Sequence, residues 1–203
     1  LRQTTADLRP TLNLNLAAIN DQASADFPWT DLGGGNYDYH HFTGSSSFAT
    51  SVLSLTAGTV YIVFRARGST TNQNAANRNN NSRIYRLGNT YLTISSTGAV
   101  RPVYRNGGTN VETEHTISFG TWYMLEIRHD GTNLHSMINT SATEQSAAVA
   151  SWSTSSTVEV PGVGSLGFDG EIAEMITYNT DLASGARTAV KNYLATKYGL
   201  SWT

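Results

Sequence analysis

Through the middle of the chain, apolar and polar residues alternate with a period of two. Thr59 to Arg67 reads TVYIVFRAR and places Val60, Ile62 and Phe64 on one face. Thr121 to His129 reads TWYMLEIRH and places Tyr123, Leu125 and Ile127 on one face. Tyr91–Ser95, Leu134–Asn139 and Glu171–Tyr178 (EIAEMITY) carry the same signal. These runs are rich in Val, Ile, Thr and Tyr, whose branched or flat side chains suit a pleated, half-buried surface. Turn residues punctuate them at Asn106-Gly107-Gly108, Asp130-Gly131 and Asp169-Gly170. Many short strands at close spacing predict an all-β sandwich.

The period changes once, near the end. Ala186, Val190, Tyr193, Leu194 and Tyr198 recur at helical spacing, which predicts a helix from about Ser184 to Tyr198 with Ser184 as its N-cap. Lys191 and Lys197 lie toward the end of the dipole that favours cations, and Gly199-Leu200 fits a glycine C-cap with its hydrophobic contact. Ser69–Ser82 (STTNQNAANRNNNS) has no large apolar residue and predicts a long loop rather than a buried strand. Gly33-Gly34-Gly35 is the only candidate hinge, and no internal repeat divides the chain. One domain over residues 1–203 is expected.

Composition narrows the class. Only 14% of the 203 residues are charged, while Thr (27), Ser (21) and Asn (17) are abundant, which excludes coiled coil and charged disorder. No apolar run approaches the length of a membrane span. A net charge of −2 argues against bulk nucleic-acid binding. The absence of cysteine removes disulfides and thiolate chemistry. Charge is unevenly placed: seven Arg and no Asp or Glu lie between Tyr39 and Val111. Either the two halves fold together and neutralise one another, or an arginine-bearing face awaits an anionic ligand.

The last 35 residues carry a more specific pattern. Gly170-Glu-Ile-Ala-Glu-Met-Ile-Thr-Tyr-Asn leads into Asp181-Leu182, then Arg187, Val190, Tyr193-Leu194 and Lys197-Tyr198-Gly199-Leu200. This resembles the closing strand and helix of the concanavalin A-like lectin/glucanase superfamily, in particular the laminin G-like jelly roll of bacterial extracellular and bacteriophage proteins. Arg9-Pro10-Thr11-Leu12, Tyr39–Phe48 (YHHFTGSSSF), Thr121-Trp122-Tyr123 and Asp130-Gly131 are similar to that branch's other landmarks. The resemblance implies an antiparallel jelly-roll β-sandwich with one C-terminal α-helix. Members of the branch usually carry an earlier first strand beside the last one. The chain is therefore expected to lack it and to leave an edge near Glu171–Tyr178 for upstream or neighbouring chain.

The superfamily contains glycoside hydrolases, whose retaining members need two carboxyls about 5–5.5 Å apart. Glu171 and Glu174 are three positions apart, so a regular strand points them to opposite faces unless a bulge intervenes. Glu112 and Glu114 share a face if that stretch is a strand, and read as solvated edge charges. His129 and His135 flank a tight turn and approach each other across a hairpin, with no third ligand at metal spacing; His40 and His41 are adjacent and diverge. Neither a Gly-x-Ser-x-Gly elbow nor a phosphate loop is present. No enzyme and no cofactor are expected. Calcium is possible in this superfamily, with Asp130 and Asp169 in turns as the local oxygen donors. The Asn80 and Asn139 sequons carry no weight in so Asn-, Ser- and Thr-rich a chain.

Binding chemistry remains. Aromatic faces stack on the C–H surfaces of sugars, and planar polar groups grip hydroxyls, with arginine adding charge for acidic sugars. If Tyr123, Leu125 and Ile127 face the core, Trp122, Glu126 and Arg128 face outward, as do Tyr61 and Arg65. Tyr104-Arg105 is another aromatic–basic pair, and Trp152 sits in a Ser/Thr-rich stretch. Tyr61, Arg65, Tyr104, Arg105, Trp122, Arg128 and Trp152 are the candidate ligand-binding residues. The expectation is a non-catalytic, lectin-like module, multimeric and outside the cell or on a virion surface. It would attach to glycan and to protein neighbours in a larger assembly. The alternative is a purely structural virion or assembly protein that binds protein only.

Overall fold

The computed structural model describes residues 29–31, 38–42, 48–66, 82–95, 97–106, 108–149, 154–160 and 170–202. Two antiparallel sheets and one helix account for most of them. The first sheet runs, in spatial order, through β1 (Trp29–Asp31), β2 (Asp38–Phe42), β14 (Gly170–Tyr178), β4 (Gly58–Ala66), β10 (Trp122–His129), β11 (Asn133–Ile138) and β12 (Gln145–Ala148). The second runs through β3 (Phe48–Leu55), β13 (Thr154–Val160), β5 (Ser82–Leu87), β6 (Thr90–Ile94), β7 (Ala99–Asn106) and β8 (Thr109–Glu112), with β9 (His115–Thr116) also on β7. The helix α1 spans Ser184–Tyr198. The strands read from alternation lie within a residue or two of these bounds.

Between the sheets lies the main core. Ile62, Phe64, Tyr85, Leu92, Ile94, Tyr123, Leu125 and Leu134 are all buried there. They are the inward positions of neighbouring strands: Ile62 stands opposite Leu125, and Phe64 opposite Tyr123 with ring centroids 6.1 Å apart. Pro102, inside β7, falls between the stretch paired to β9 and the stretch paired to β8, where a missing N–H costs no ladder bond. Tyr85 and Leu92 pair across a register shift in β5 that keeps both in the core.

The first sheet's other face is also covered. Tyr61, Val63, Met124, Ile176 and Tyr178 meet Leu182, Val190 and Leu194 of the closing segment and helix. The molecule is thus three layers: second sheet, first sheet, helix. Gly199 caps the helix in the left-handed region at φ 62°, and the Leu200 N–H bonds back to the Ala195 carbonyl. Ser184 is not the N-cap; the preceding Ala183 is, and no side chain caps that end.

The expected open edge at Glu171–Tyr178 is filled only at its start: β14 pairs β4 along its length and β2 at Gly170–Ile172, and among the described residues no second strand pairs Glu174–Tyr178. β2 and β1 lie beyond β14 in the sheet, and β1 is its edge. Gly33–Gly35, most of the Asn-rich segment, Asp169 and the Arg9–Leu12 stretch lie outside the described residues.

Candidate functional site

Register decides which predicted residues meet. β10 and β4 pair Trp122 with Arg65, Glu126 with Tyr61 and Arg128 with Thr59. Tyr61, Arg65, Trp122 and Arg128 therefore do share one face of the first sheet, the face that carries the helix.

Tyr61 is sealed beneath that helix. It is 1% exposed, with its ring edge-on to Tyr178 at 6.4 Å. Burial, followed by the nearby Glu126 carboxylate, pushes its phenol far above the ordinary tyrosine range. It is a core residue, not a surface stacker. Alternation does turn Tyr61 away from the main core, and the closing segment and helix cover that face.

Arg128 belongs to an ion-pair cluster rather than to a free surface. Its guanidinium bonds both oxygens of Asp181 (2.9 and 3.1 Å) and reaches Glu144 at 3.0 Å. Glu144 also accepts from Arg187 of the helix, and its Oε1 lies 3.2 Å from the His135 Nδ1. Arg187 in turn holds Glu126 at 2.5 Å, and Lys191 reaches the same carboxylate at 2.7 Å. Partial burial raises the Glu144 carboxyl, but Arg128 and Arg187 more than reverse that and hold it below its ordinary value. Glu126, only 1% exposed, is the residue that alternation assigned to solvent. The signal that identifies its partners is in the helix: Arg187 and Lys191 are one turn apart, on the side of Val190 and Leu194.

Arg65 and Trp122 form a smaller constellation away from that cluster. The guanidinium sits 4.9 Å from the centre of the indole ring, and its Nε donates to Glu171 at 2.9 Å. Glu171 is fully buried, while Arg65 and Trp122 are each only partly buried. Across four strands the register continues Trp122–Arg65–Glu171–His41. An aromatic face, a guanidinium and a carboxylate that fixes it stand in one row, the groups a sugar ring requires.

Glu171 and Glu174 are on the same face after all. β14 shifts register between Ile172 and Glu174, so the extra residue Ala173 turns Glu174 to Glu171's side. The two have different partners. Glu174 accepts from Lys197 (2.8 Å), Tyr198 (3.0 Å) and Tyr193 (3.1 Å), all from the helix, and is buried.

Tyr104 and Arg105 diverge because they are adjacent on β7. Tyr104 turns into the core, its ring 5.7 Å from His129, so it is not a surface ligand residue. Arg105 is exposed on the second sheet's outer face. Trp152 lies outside the described residues.

The histidines do not converge. Register pairs His129 with Leu134 and Arg128 with His135, which sends His129 inward and His135 outward. Burial pushes the His129 imidazole down to about 3. The Asp130 carboxylate receives Thr132 and Asn133 N–H groups, the Thr132 hydroxyl, the Asn133 amide and His135. Burial raises its pKa, but these bonds outweigh it and hold the carboxyl well below the usual range. Those donors occupy the lone pairs a calcium ion would use. Among the described residues no three His, Asp or Glu side chains group as a metal site. The Asn139 amide is buried, accepting from Met124 N–H and donating to the Ser201 carbonyl, so it is not available for glycosylation.

The arginine excess resolves in part. Arg65 finds Glu171 from the far end of the chain, and Arg101 finds Glu114 at 2.5 Å and Glu112 at 3.9 Å.

No protein-family model matches the chain. No curated protein matches it either. Solved structures do. The type G botulinum neurotoxin receptor-binding domain is 12% identical, over 93% of this chain and 48% of that one, with a TM-score of 0.63. Domain 4 of the GH43 extracellular arabinanase from Geobacillus stearothermophilus, solved in complex with arabinotriose, is 13% identical, over 82% of each chain, with a TM-score of 0.60. The SAP-like pentraxin of Limulus polyphemus is 13% identical, over 88% of this chain and 87% of that one, with a TM-score of 0.54. The chain spans about half the length of the botulinum neurotoxin binding-domain structures it matches. The likeness shows the fold: an antiparallel jelly-roll β-sandwich with one C-terminal helix. Among the described residues no helix is long and apolar enough to cross a membrane.

Proposed function

We propose that this chain is a non-catalytic, lectin-like module that attaches to surface glycan from an extracellular protein or a phage-like particle. The observation that carries the reading is the Trp122–Arg65–Glu171 row. Glu171 anchors the guanidinium, the guanidinium packs on the indole, and both remain partly exposed for a sugar. The structural neighbours support the same direction. Two are botulinum neurotoxin receptor-binding domains, and one was solved with arabinotriose.

Two arguments favour binding without catalysis. Glu174 is occupied by a lysine and two tyrosines beneath the helix, and Glu171 is buried against Arg65. A retaining pair needs one carboxyl free to attack and one free to deliver a proton. Single contacts of this kind are weak, and useful attachment comes from many copies in one assembly.

The test is a glycan array followed by calorimetry on the glycans that respond. Trp122→Leu keeps an apolar side chain against the helix cluster but removes the stacking face. It is expected to abolish neutral-glycan binding while the melting curve and circular dichroism stay close to those of the parent. If the multimer binds no glycan on the array while docking tightly to a protein partner, the structural reading replaces this one.

A further inference from the structure

The cation of the Trp122–Arg65 surface is paired with an anion that lies beneath it. The Arg65 side chain is 25% exposed, whereas the Glu171 carboxylate that it meets at 2.9 Å is fully buried. β14 and β4 enforce this, because their register stands Glu171 opposite Arg65. β10 places Trp122 on the other side of Arg65, with the centre of the indole 4.9 Å from the guanidinium carbon. The carboxylate carries a full negative charge, and the ring face a negative potential. Both act on the same guanidinium.

A lone cation and a close ion pair present different fields to a ligand. The attraction of a single charge falls slowly with distance, while two opposite charges 2.9 Å apart largely cancel for anything farther away. The planar fork of N–H donors keeps its directional hydrogen bonding after pairing. Such a surface grips hydroxyls but gives little pull on a carboxylate or sulfate. The rest of this face does not restore that pull. Lys197 of the helix is held by buried Glu174, and Arg128 by Asp181 and Glu144.

We propose that Glu171 sets the charge selectivity of this site: by cancelling Arg65 it makes the Trp122–Arg65 surface take uncharged polysaccharide and reject acidic or sulfated polysaccharide. Trp122 supplies the stacking face and Arg65 the donors, while Glu171 touches no sugar and acts through Arg65. That the ligand is a glycan rests on the reading above; that it is uncharged rests on the ion pair. A carboxylate that only braced Arg65 would, once neutralised, weaken all binding alike. A charge-cancelling carboxylate, once neutralised, changes which polymer binds.

The experiment titrates the full chain calorimetrically with the glycans that respond on the array and with two polymer pairs that share a backbone and differ in charge. These are dextran with dextran sulfate, and methyl-esterified polygalacturonan with polygalacturonate. The parent is expected to bind uncharged glycan, with little change as salt rises, and charged counterparts about tenfold more weakly or worse. Glu171→Gln should tighten binding of the charged polymers about five- to tenfold, with a salt dependence that the parent lacks, as one unmasked charge does. Adding Arg65→Gln to Glu171→Gln should remove that gain. Glu171→Met, uncharged and of similar length, takes its place if circular dichroism shows that Glu171→Gln does not fold. The proposal is overturned, with the glycan reading intact, if the parent binds charged and uncharged members equally and Trp122→Leu abolishes both. It is also overturned if a folded Glu171 variant gains nothing for charged polymers, or if the gain survives the loss of Arg65. If the parent binds no glycan at all, charged or uncharged, the glycan reading fails and this inference fails with it.

Discussion

The first sheet has two faces, and both carry a buried cluster, but of different chemistry. Its inner face is apolar: Ile62, Phe64, Tyr123, Leu125 and Ile127 meet the second sheet with no ion pair among them. Its outer face mixes Tyr61, Val63 and Met124 with Glu126, Arg128, Glu171 and Glu174, each charged residue answered by an opposite charge. A period-two pattern separates the faces but does not say what lies against each. Charge on one face of a strand usually means water. Here it means a helix that brings its own Arg187, Lys191 and Lys197.

The contrast can be broken from either side. Phe64→Ala on the inner face removes a fully buried ring and is expected to cost about 3–5 kcal/mol by chemical denaturation. Glu126→Ala on the outer face takes the carboxylate from Lys191 and leaves Arg187 with Glu144 alone. It should cost about 2–4 kcal/mol, somewhat under the usual figure for breaking a buried pair because Arg187 and Lys191 retain some water. A cost near zero would mean that the cluster is decoration on an apolar interface, and the comparison would collapse. The cycle pairing Glu126→Ala with Arg187→Ala isolates the coupling.

Acid should reach the inner face first. His129 is neutral in the native state, with its pKa lowered by burial to about 3 against 6.5 unfolded. Between those values the unfolded chain binds the extra proton. The stability contributed by neutral His129 is complete above pH 6.5 and falls as pH drops toward 3, by at most about 1.4 kcal/mol per pH unit. Glu144 behaves as a stabilising carboxylate: its contribution is present above its ordinary value of 4.5 and is lost only as pH falls below that. Denaturation midpoints from pH 7 to 4 should therefore decline in the parent and less steeply in His129→Leu, where buried His115, also held below its ordinary value, still contributes. An equal slope in both would remove His129 from the account.

Smaller effects sharpen the picture. Gly199→Ala forces a side chain into the left-handed region at the helix end and should cost about 1 kcal/mol in a thermal melt. Arg105→Gln should stay within about 0.5 kcal/mol of the parent, because Arg105 is exposed and no described residue forms an ion pair with it. A larger loss would make it a structural residue.

How much was legible follows from which interactions are local. Alternation in Thr59–Arg67 and Thr121–His129 locates β4 and β10 because the pleat itself has period two. The helix was equally clear, from Ala186, Val190, Leu194 and Gly199. What escaped was longer in range. The burial of Tyr61 depends on a helix more than a hundred residues downstream. Ala173 inserts a bulge that no propensity signals, and with it the direction of Glu174 changes. Tyr104 and Arg105 were grouped as a pair by sequence adjacency, although adjacency on a strand is what sends side chains apart. Of the seven candidate residues, Arg65 and Trp122 come into contact because register, not spacing, aligned them.

The interior position of β14 has a consequence for the order of events in folding. This strand pairs Gly170 with Ala66 on one side and with Phe42 on the other, so the first sheet cannot close until Gly170–Tyr178 has been made, more than a hundred residues after β4. Until then β2 and β4 have open edges facing each other across the place β14 will take. Ladders joining residues so far apart form slowly, on the millisecond-to-second scale, because a large loop must close before the first bond rewards it. During synthesis the nascent chain would carry two adjacent unpaired edges, the kind of surface chaperones hold and neighbouring copies capture.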